Sequence, residues 1–348
     1  MNTIKERAAA IAAAAQKLNS AVYNASNDHG KITEARTVAQ QHSPKLVSLE
    51  EAIKQSGLKD GMTISFHHHF RGGDKVVNLV VGKLAEMGFK NLHLAASSLL
   101  DTHEPLIEHI KNGVITQIST SGLRGELARQ ISLGLMENPV VFRSHGGRGA
   151  AIAKGELHID VAFLGASSSD PLGNACGYSR SENAQSICGS LGYALPDAEY
   201  ADKVVILTDD LVNYPNTPAS ISERYVDYVV QVDSVGDSSK IASGAIRDTK
   251  NPRDILLAKQ AAKVIEHSGY LTPGFSIQTG SGGASLAVVK YLRNAMVEQN
   301  IKASFALGGI TAHMVKLHEE GLIERLIDVQ SFDKVAAESL KNDAMHQE

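Results

Sequence analysis

Apolar positions in this chain fall into short runs divided by polar turns, and two spacings alternate along it. Runs at 62–66, 92–94, 114–118, 140–142, 159–164, 204–207 and 228–232 are short and apolar and read as strands. Between them, positions 76–87, 104–110, 125–136 and 150–154 read as helices. Strands alternating with helices predict a mainly parallel sheet covered on both faces. Ser48-Leu49-Glu50-Glu51 is a capping-box pattern, and Gly57 suits the left-handed end of the helix it opens. Asn251-Pro252-Arg253-Asp254 opens a further helix through His267, with proline at a favourable first position. The alanine-rich run at 8–15 predicts an N-terminal helix, followed by a polar arm at 24–43.

A repeat lies over this alternation. Pro-Gly-Phe-Ser-Ile-Gln (273–278) leads to Gly-Ser-Gly-Gly-Ala-Ser (280–285) and an apolar helical run. Phe305-Ala306-Leu307-Gly308-Gly309 and Glu319-Glu320-Gly321-Leu322-Ile323 follow. The same order appears earlier, in Asp60-Gly61-Met62-Thr63-Ile64-Ser65 and His67-His68-His69-Phe70-Arg71-Gly72-Gly73-Asp74. After a helical run come Leu92-His93-Leu94-Ala95-Ala96-Ser97 and Lys111-Asn112-Gly113-Val114-Ile115. The marked glycine turns stand about 50 residues apart in each copy, beyond most solenoid periods. The expected fold is therefore α/β, with two tandem related units and mainly parallel sheets.

Boundaries follow from composition. Residues 1–47 form an N-terminal helical arm, 48–238 a first α/β domain, 239–268 a linker and connecting helix, and 269–348 a partial second domain. The first copy runs on well beyond Gly113, whereas the second stops soon after its matching Gly321. That asymmetry leads to the expectation that the second unit is incomplete and the sequence truncated.

At 348 residues the chain is long enough for about two domains, and 43% apolar with 21% charged residues is ordinary for a globular protein. A net charge of −4 offers no footprint for nucleic acid. Cys176 and Cys188 cannot form a disulfide framework, which favours a reducing, cytoplasmic setting. No window approaches the ~18 apolar residues of a membrane span, so a soluble protein without a membrane partner is expected.

Three glycine-bearing loops carry the candidate chemistry. Gly280-Ser281-Gly282-Gly283-Ala284-Ser285 lies between a strand and a helix expected to begin near Leu286, where backbone N–H groups can hold an anion. A tight turn without ligand explains it too. It is not GxGxxG, and dinucleotide binding is discounted. In the first copy, Arg71 with the loop amides can take a carboxylate or phosphate, because a guanidinium matches a carboxylate bidentately. His67 and His69 share a face there, but no third ligand is evident and no metal is expected. Ser144-His145-Gly146-Gly147-Arg148-Gly149 reads as another glycine- and arginine-rich loop before a small-residue helix, equally a turn or an anion site. Asp170-Pro171-Leu172-Gly173-Asn174 is a turn sequence. Glu182, within Ser181-Glu182-Asn183, offers a carboxylate nucleophile, though a lone loop glutamate is usually solvated.

These loops, with Asp170-x-x-Gly173-Asn174 and Ala201-Asp202-Lys203-Val204-Val205-Ile206, resemble the two-domain coenzyme A-transferase family. Within it, the loops at 67–74, 143–149 and 280–285 together resemble the citrate lyase α-subunit branch. The resemblance implies a citrate CoA-transferase, exchanging acetyl for citryl on an acyl-carrier thioester and releasing acetate. It implies as partners a β subunit that cleaves the citryl thioester and an acyl carrier γ subunit bearing a CoA-like phosphopantetheine group. Arg71, Arg143, Arg148 and His69 are the expected anchors for citrate carboxylates. Gly72, Gly73, Gly280, Gly282 and Gly283 are the expected amides for the thioester carrier and its oxyanion. The glutamate that attacks the thioester in the wider family has no counterpart in the sequence, and no nucleophile is assigned. A thioester hydrolase, a transferase for another carboxylate, or a non-catalytic carboxylate-binding subunit are the alternatives.

Overall fold

The computed structural model describes residues 44–182, 184–242, 249–280 and 282–348. The expected N-terminal helix and arm, Asn183, part of the linker and Ser281 lie outside these residues.

Seven parallel strands build the first sheet: β1 (Thr63–Phe66), β2 (Leu92–Ala96), β3 (Ile115–Thr120), β4 (Val141–Phe142), β5 (Val161–Ala166), β8 (Lys203–Thr208) and β9 (Tyr228–Gln231). A small antiparallel pair, β6 (Ser168–Ser169) and β7 (Ala175–Cys176), sits in the β5–β8 connection. The order is β4-β3-β2-β1-β5-β8-β9. The chain thus builds outward from β1 in one direction and then, from β5, in the other. A crevice forms outside the carboxyl ends of the strands where that reversal occurs, and such crevices are where open parallel sheets bind ligands. The strand interiors are buried on both faces, as in Val161, Ala162, Phe163 and Leu164 of β5.

The second sheet is parallel too, in the order β10 (Phe275–Ile277), β11 (Ala303–Ile310), β12 (Leu326–Ser331), β13 (His346–Gln347). It repeats the β1-β2-β3-β4 half of the first sheet. The repeat reaches individual backbone angles. Gly61 and Gly274 have φ of 84° and 81°, Asn91 and Asn300 59° and 53°, and Gly113 and Gly321 70° and 71°. Each pair occupies the left-handed region at an equivalent turn, where glycine or asparagine is tolerated best.

Helix ends follow local chemistry. Ser48 and Glu51 form the capping box at Leu49–Ser56, and Gly57 closes that helix at φ 74°. Asn251 caps Pro252–Glu266. Two expectations need correction. Gly146 and Gly147 are not loop: the helix runs His145–Ala153, capped by Ser144, whose hydroxyl accepts the Gly147 N–H at 3.0 Å. The helix after β10 begins at Gly283, a turn earlier than expected.

The two sheets meet through the carboxyl end of β12. Ser190 donates to the Asp328 carbonyl at 2.6 Å, Gln330 Nε2 donates to the His68 carbonyl at 2.9 Å, and a Cβ on Gly189 would lie 2.0 Å from Ser331 Oγ.

Candidate functional site

The chain leaves β1 at Phe66 and folds His67–Asp74 over the crevice, with a 3₁₀ turn at Arg71–Gly73. The Arg71 N–H donates to the His68 carbonyl at 2.9 Å, and Arg71 adopts φ 52°, a left-handed conformation rare for a non-glycine residue. Around Arg71 stand groups from five other segments. His68 Nδ1 lies 2.5 Å from Ser97 Oγ, just past β2. Arg124 follows β3, its N–H donating to the Leu99 carbonyl. His145 opens the helix after β4, and Tyr193 Oη donates to its carbonyl at 2.8 Å. The rings of His68, His145 and Tyr193 pack with centroids 5.5 to 6.4 Å apart. Phe332, just past β12, places its ring 4.8 Å from the Arg71 guanidinium carbon.

The electrostatics are one-signed. Burial, then Arg124, lowers the Arg71 pKa to about 10. Burial, then Arg71, holds His68 well below the ordinary imidazole value. Desolvation and then Arg71 lower His145. Every charge acting on these three groups is basic, and among the described residues no carboxylate pairs with Arg71 or Arg124. Arg71 Nε is buried without a hydrogen-bond partner. Two guanidinium groups close together without a carboxylate partner can attract an anion. The exposed N-terminus of His145–Ala153 adds its partial positive charge.

The expected anchors separate. Arg71 stands in the cluster. Arg148 does not: it is 2% exposed, and both its Nη atoms donate to Asp197 at 2.7 Å, with a third bond to the Ala95 carbonyl at 3.1 Å. Asp197 and the Ala95 carbonyl engage both Nη atoms while the buried Nε has no partner, so the contacts of Arg148 are those of the framework beneath the cluster. His69 is buried, its Nε2 lies 2.6 Å from His67 Nδ1, its Nδ1 has no hydrogen-bond partner, and burial lowers its pKa to about 3, so the ring is neutral at pH 7. Arg143 follows β4; burial and then the Arg143 charge lower His93, on β2 within the sheet, while Arg143 Nη1 is buried without a partner.

Among the expected amides, Gly73 is a packing glycine. Its N–H donates to the Phe70 carbonyl at 2.9 Å, and an added Cβ would lie 2.2 Å from the Asp237 carbonyl oxygen. The Gly73 amide is therefore not free for an oxyanion. Gly72 shares that 3₁₀ turn and lines a polar groove with Lys75, Thr102, Gln185 and Lys240. Gly280, Gly282 and Gly283 lie where β10 meets the 16-residue helix Gly283–Glu298, and a Cβ on Gly282 would meet nothing within 4 Å. The strand order puts β10 two strands away from β12, so this loop stands on the same carboxyl edge of the second sheet as Phe332.

Asp170 accepts the N–H groups of Leu172, Gly173 and Asn174, which makes 170–174 a structural turn. Exposed Glu182 lies outside the cluster. Sequence reasoning missed Arg124, Tyr193 and Phe332. Arg124 had one signal, its place directly after a strand end at the same edge as the other two loops.

A doubly extended parallel sheet with a basic crevice at its switch point, joined to a second related unit, defines an α/β protein of the CoA-transferase-like fold. The chain belongs to the citrate lyase alpha subunit family, whose profile (CitF) it matches over residues 43–348. It is 62% identical over 299 residues to the citrate lyase alpha chain of Haemophilus influenzae, covering 86% of this chain and 59% of that one. The alpha chain of Klebsiella pneumoniae is 64% identical over 301 residues, with 86% and 58% covered. The chain thus spans less than two thirds of the length of these relatives. A crystal structure from Streptococcus mutans, assigned as the alpha subunit of citrate lyase in complex with citrate, superposes with TM-score 0.85 at 56% identity. It covers 90% of this chain and 61% of that one. A malonate decarboxylase alpha subunit from Acinetobacter baumannii shares the fold, with TM-score 0.62 at 15% identity over 83% of this chain and 52% of that one. Among the described residues, no helix is long and apolar enough to cross a membrane.

Proposed function

We propose that this chain carries the citrate-binding part of a citrate CoA-transferase subunit, with Arg71 as the central carboxylate anchor. In the exchange, a citrate carboxylate oxygen attacks the acetyl thioester carbonyl of an acyl carrier. The carrier thiolate is displaced as an acetyl–citryl anhydride forms, and its return attack on the citryl carbonyl joins citryl to the carrier sulfur and releases acetate, which keeps the attacking oxygen. The carrier's phosphopantetheine thioester is here a substrate, and its protein and the citryl-cleaving β subunit are the partners this reading requires. A cytoplasmic location goes with it.

The observation that carries the reading is the Arg71, Arg124, His68 and His145 cluster, in which the Arg71 Nε is buried without a partner and, among the described residues, no carboxylate pairs with either arginine. Anions of several charges need such a site, and bound neutral molecules do not. The S. mutans relative was crystallised with citrate, which supports the choice among polycarboxylates. Gly280, Gly282 and Gly283 remain the proposed contacts of the thioester arm, resting on an open helix N-terminus.

Titration calorimetry of citrate, succinate and acetate into the chain tests the anchor. Citrate binding preferred at least about tenfold over acetate is expected, a difference of about 1.4 kcal/mol. Equal affinities would remove the reading. Mass spectrometry of acetyl-CoA mixed with citrate and the chain then asks whether citryl-CoA forms.

A further inference from the structure

The Arg71 site is built by the first unit, yet two of its walls come from the second. Gln330 and Phe332 lie at the carboxyl end of β12, about 260 residues along the chain from the loop they touch. We propose that Phe332 and Gln330 are positioning residues, through which the second unit fixes the direction in which Arg71 presents its guanidinium. This rests on Arg71 being the carboxylate anchor.

Three observations converge. The Arg71 guanidinium carbon lies over the Phe332 ring, 4.8 Å from its centroid. A guanidinium held over an aromatic face is attracted by the ring and restrained against swinging, while N–H donors directed away from the ring stay available to a carboxylate. Secondly, the His68 carbonyl receives both the Arg71 N–H and Gln330 Nε2, at 2.9 Å each. That carbonyl closes the turn in which Arg71 is left-handed, so Gln330 braces the strained part of the loop. Thirdly, the position of Phe332 is itself enforced. Its N–H donates to the Ile310 carbonyl at 2.8 Å, and a Cβ on Gly309 would lie 2.2 Å from the tip of its ring. The ring occupies the space that glycine leaves on β11.

β12 is rigid enough to serve as the brace. Fully buried Asp328 accepts the Gln330 N–H at 2.8 Å and the Ser331 hydroxyl at 2.6 Å. The segment therefore holds Gln330 and Phe332 in a fixed relation.

The test uses the full chain and two readouts. Phe332→Leu keeps an apolar side chain but removes the π face, whereas Phe332→Trp keeps the face. Citrate affinity is expected to fall about tenfold in Phe332→Leu and about threefold in Gln330→Leu, and to recover in Phe332→Trp, with melting temperatures within a few degrees of the parent. In an Arg71→Lys background the Phe332→Leu effect should shrink, because the two changes act on one group. Additive losses in that double variant, or full affinity in Phe332→Leu alongside a weakened Arg71→Ala, would overturn the inference while leaving the anchor reading intact. Unchanged affinity in Arg71→Ala would instead overturn the anchor reading. A citrate-independent measurement covers that case: the Arg71 Nε–H proton resonance should be shifted upfield by the Phe332 ring current. That shift should vanish in Phe332→Leu, and its absence in the parent chain would sink the proposal.

Discussion

The Arg148 guanidinium and the Asp197 carboxylate face each other as a bidentate pair, with both N···O distances 2.7 Å and neither side chain more than 2% exposed. The pair joins the helix His145–Ala153 to Leu195–Tyr200. Ser65, at the end of β1, hydrogen-bonds Asp197 as well. Burial opposes the charge on Arg148, but attraction and hydrogen bonds from Asp197 hold its pKa above the ordinary value. Removing one partner leaves the other buried and uncompensated, which typically costs about 3–5 kcal/mol. Arg148→Ala and Asp197→Ala should each lose stability of that order in urea melts, while Arg148→Met with Asp197→Leu should recover most of it. Full stability in either single variant would show that the pair is not part of the framework that holds His145 beside Tyr193.

Arg71 combines a left-handed backbone with a guanidinium whose buried Nε has no hydrogen-bond partner, and those two properties separate under mutation. Any side-chain-bearing residue at φ 52° is strained by about 1 kcal/mol relative to glycine. Arg71→Gly should therefore unfold at higher denaturant than Arg71→Ala, by about 1 kcal/mol, while both lose citrate affinity about 10- to 100-fold, corresponding to a charge-assisted contact. A glycine variant less stable than the alanine variant would show that the loop relaxes away from the left-handed turn.

How far the sequence carried the reader can be judged on these same residues. The alternation of short apolar runs located the strands of the first sheet, and the paired turns at Gly61 and Gly274 announced the second. Those signals are local. Glycine 146 and 147 misled because glycine costs about 1 kcal/mol per helical position, and here the cap on Ser144 and the Arg148 pair override it. Arginine 148 was assigned to ligand because residue type does not reveal which partner a side chain meets. Its partner lies 49 residues away. Phe332 and Tyr193 joined the site only through packing between segments remote in sequence, for which no local pattern exists.

Gly73 offers a test of whether its conformational role or a ligand role explains the glycine. The Asp237 backbone lies where a Cβ would go, and the Asp237 N–H donates to the Gly73 carbonyl at 2.9 Å. Gly73→Ala must push two backbone segments apart, with an overpacking cost of about 1–3 kcal/mol or more. A lowered melting temperature is expected, measured by calorimetry. An alanine variant that melts with the parent but loses thioester exchange would return Gly73 to the oxyanion role.

The histidines of the 67–69 segment set a pH dependence whose sign follows from burial. Desolvation lowers His67 and His68 well below the ordinary imidazole value, and lowers His69 to about 3. In the unfolded chain each titrates near 6.5. Between those values the unfolded state binds more protons than the folded one, so stability falls as pH falls. The contribution is complete above about pH 7, begins to disappear near 6.5, and for His69 continues to fall until about pH 3. Each histidine contributes at most about 1.4 kcal/mol per pH unit in that window, so three give a steep slope. Urea melts at pH 7.5, 6.5 and 5.5 should show it, and His69→Gln should flatten the slope by at most about 1.4 kcal/mol per pH unit, the contribution of one histidine kept neutral by burial. A slope unchanged by His69→Gln would mean that the ring is protonated in the folded protein, and its buried contact with His67 would then need an anion beside it.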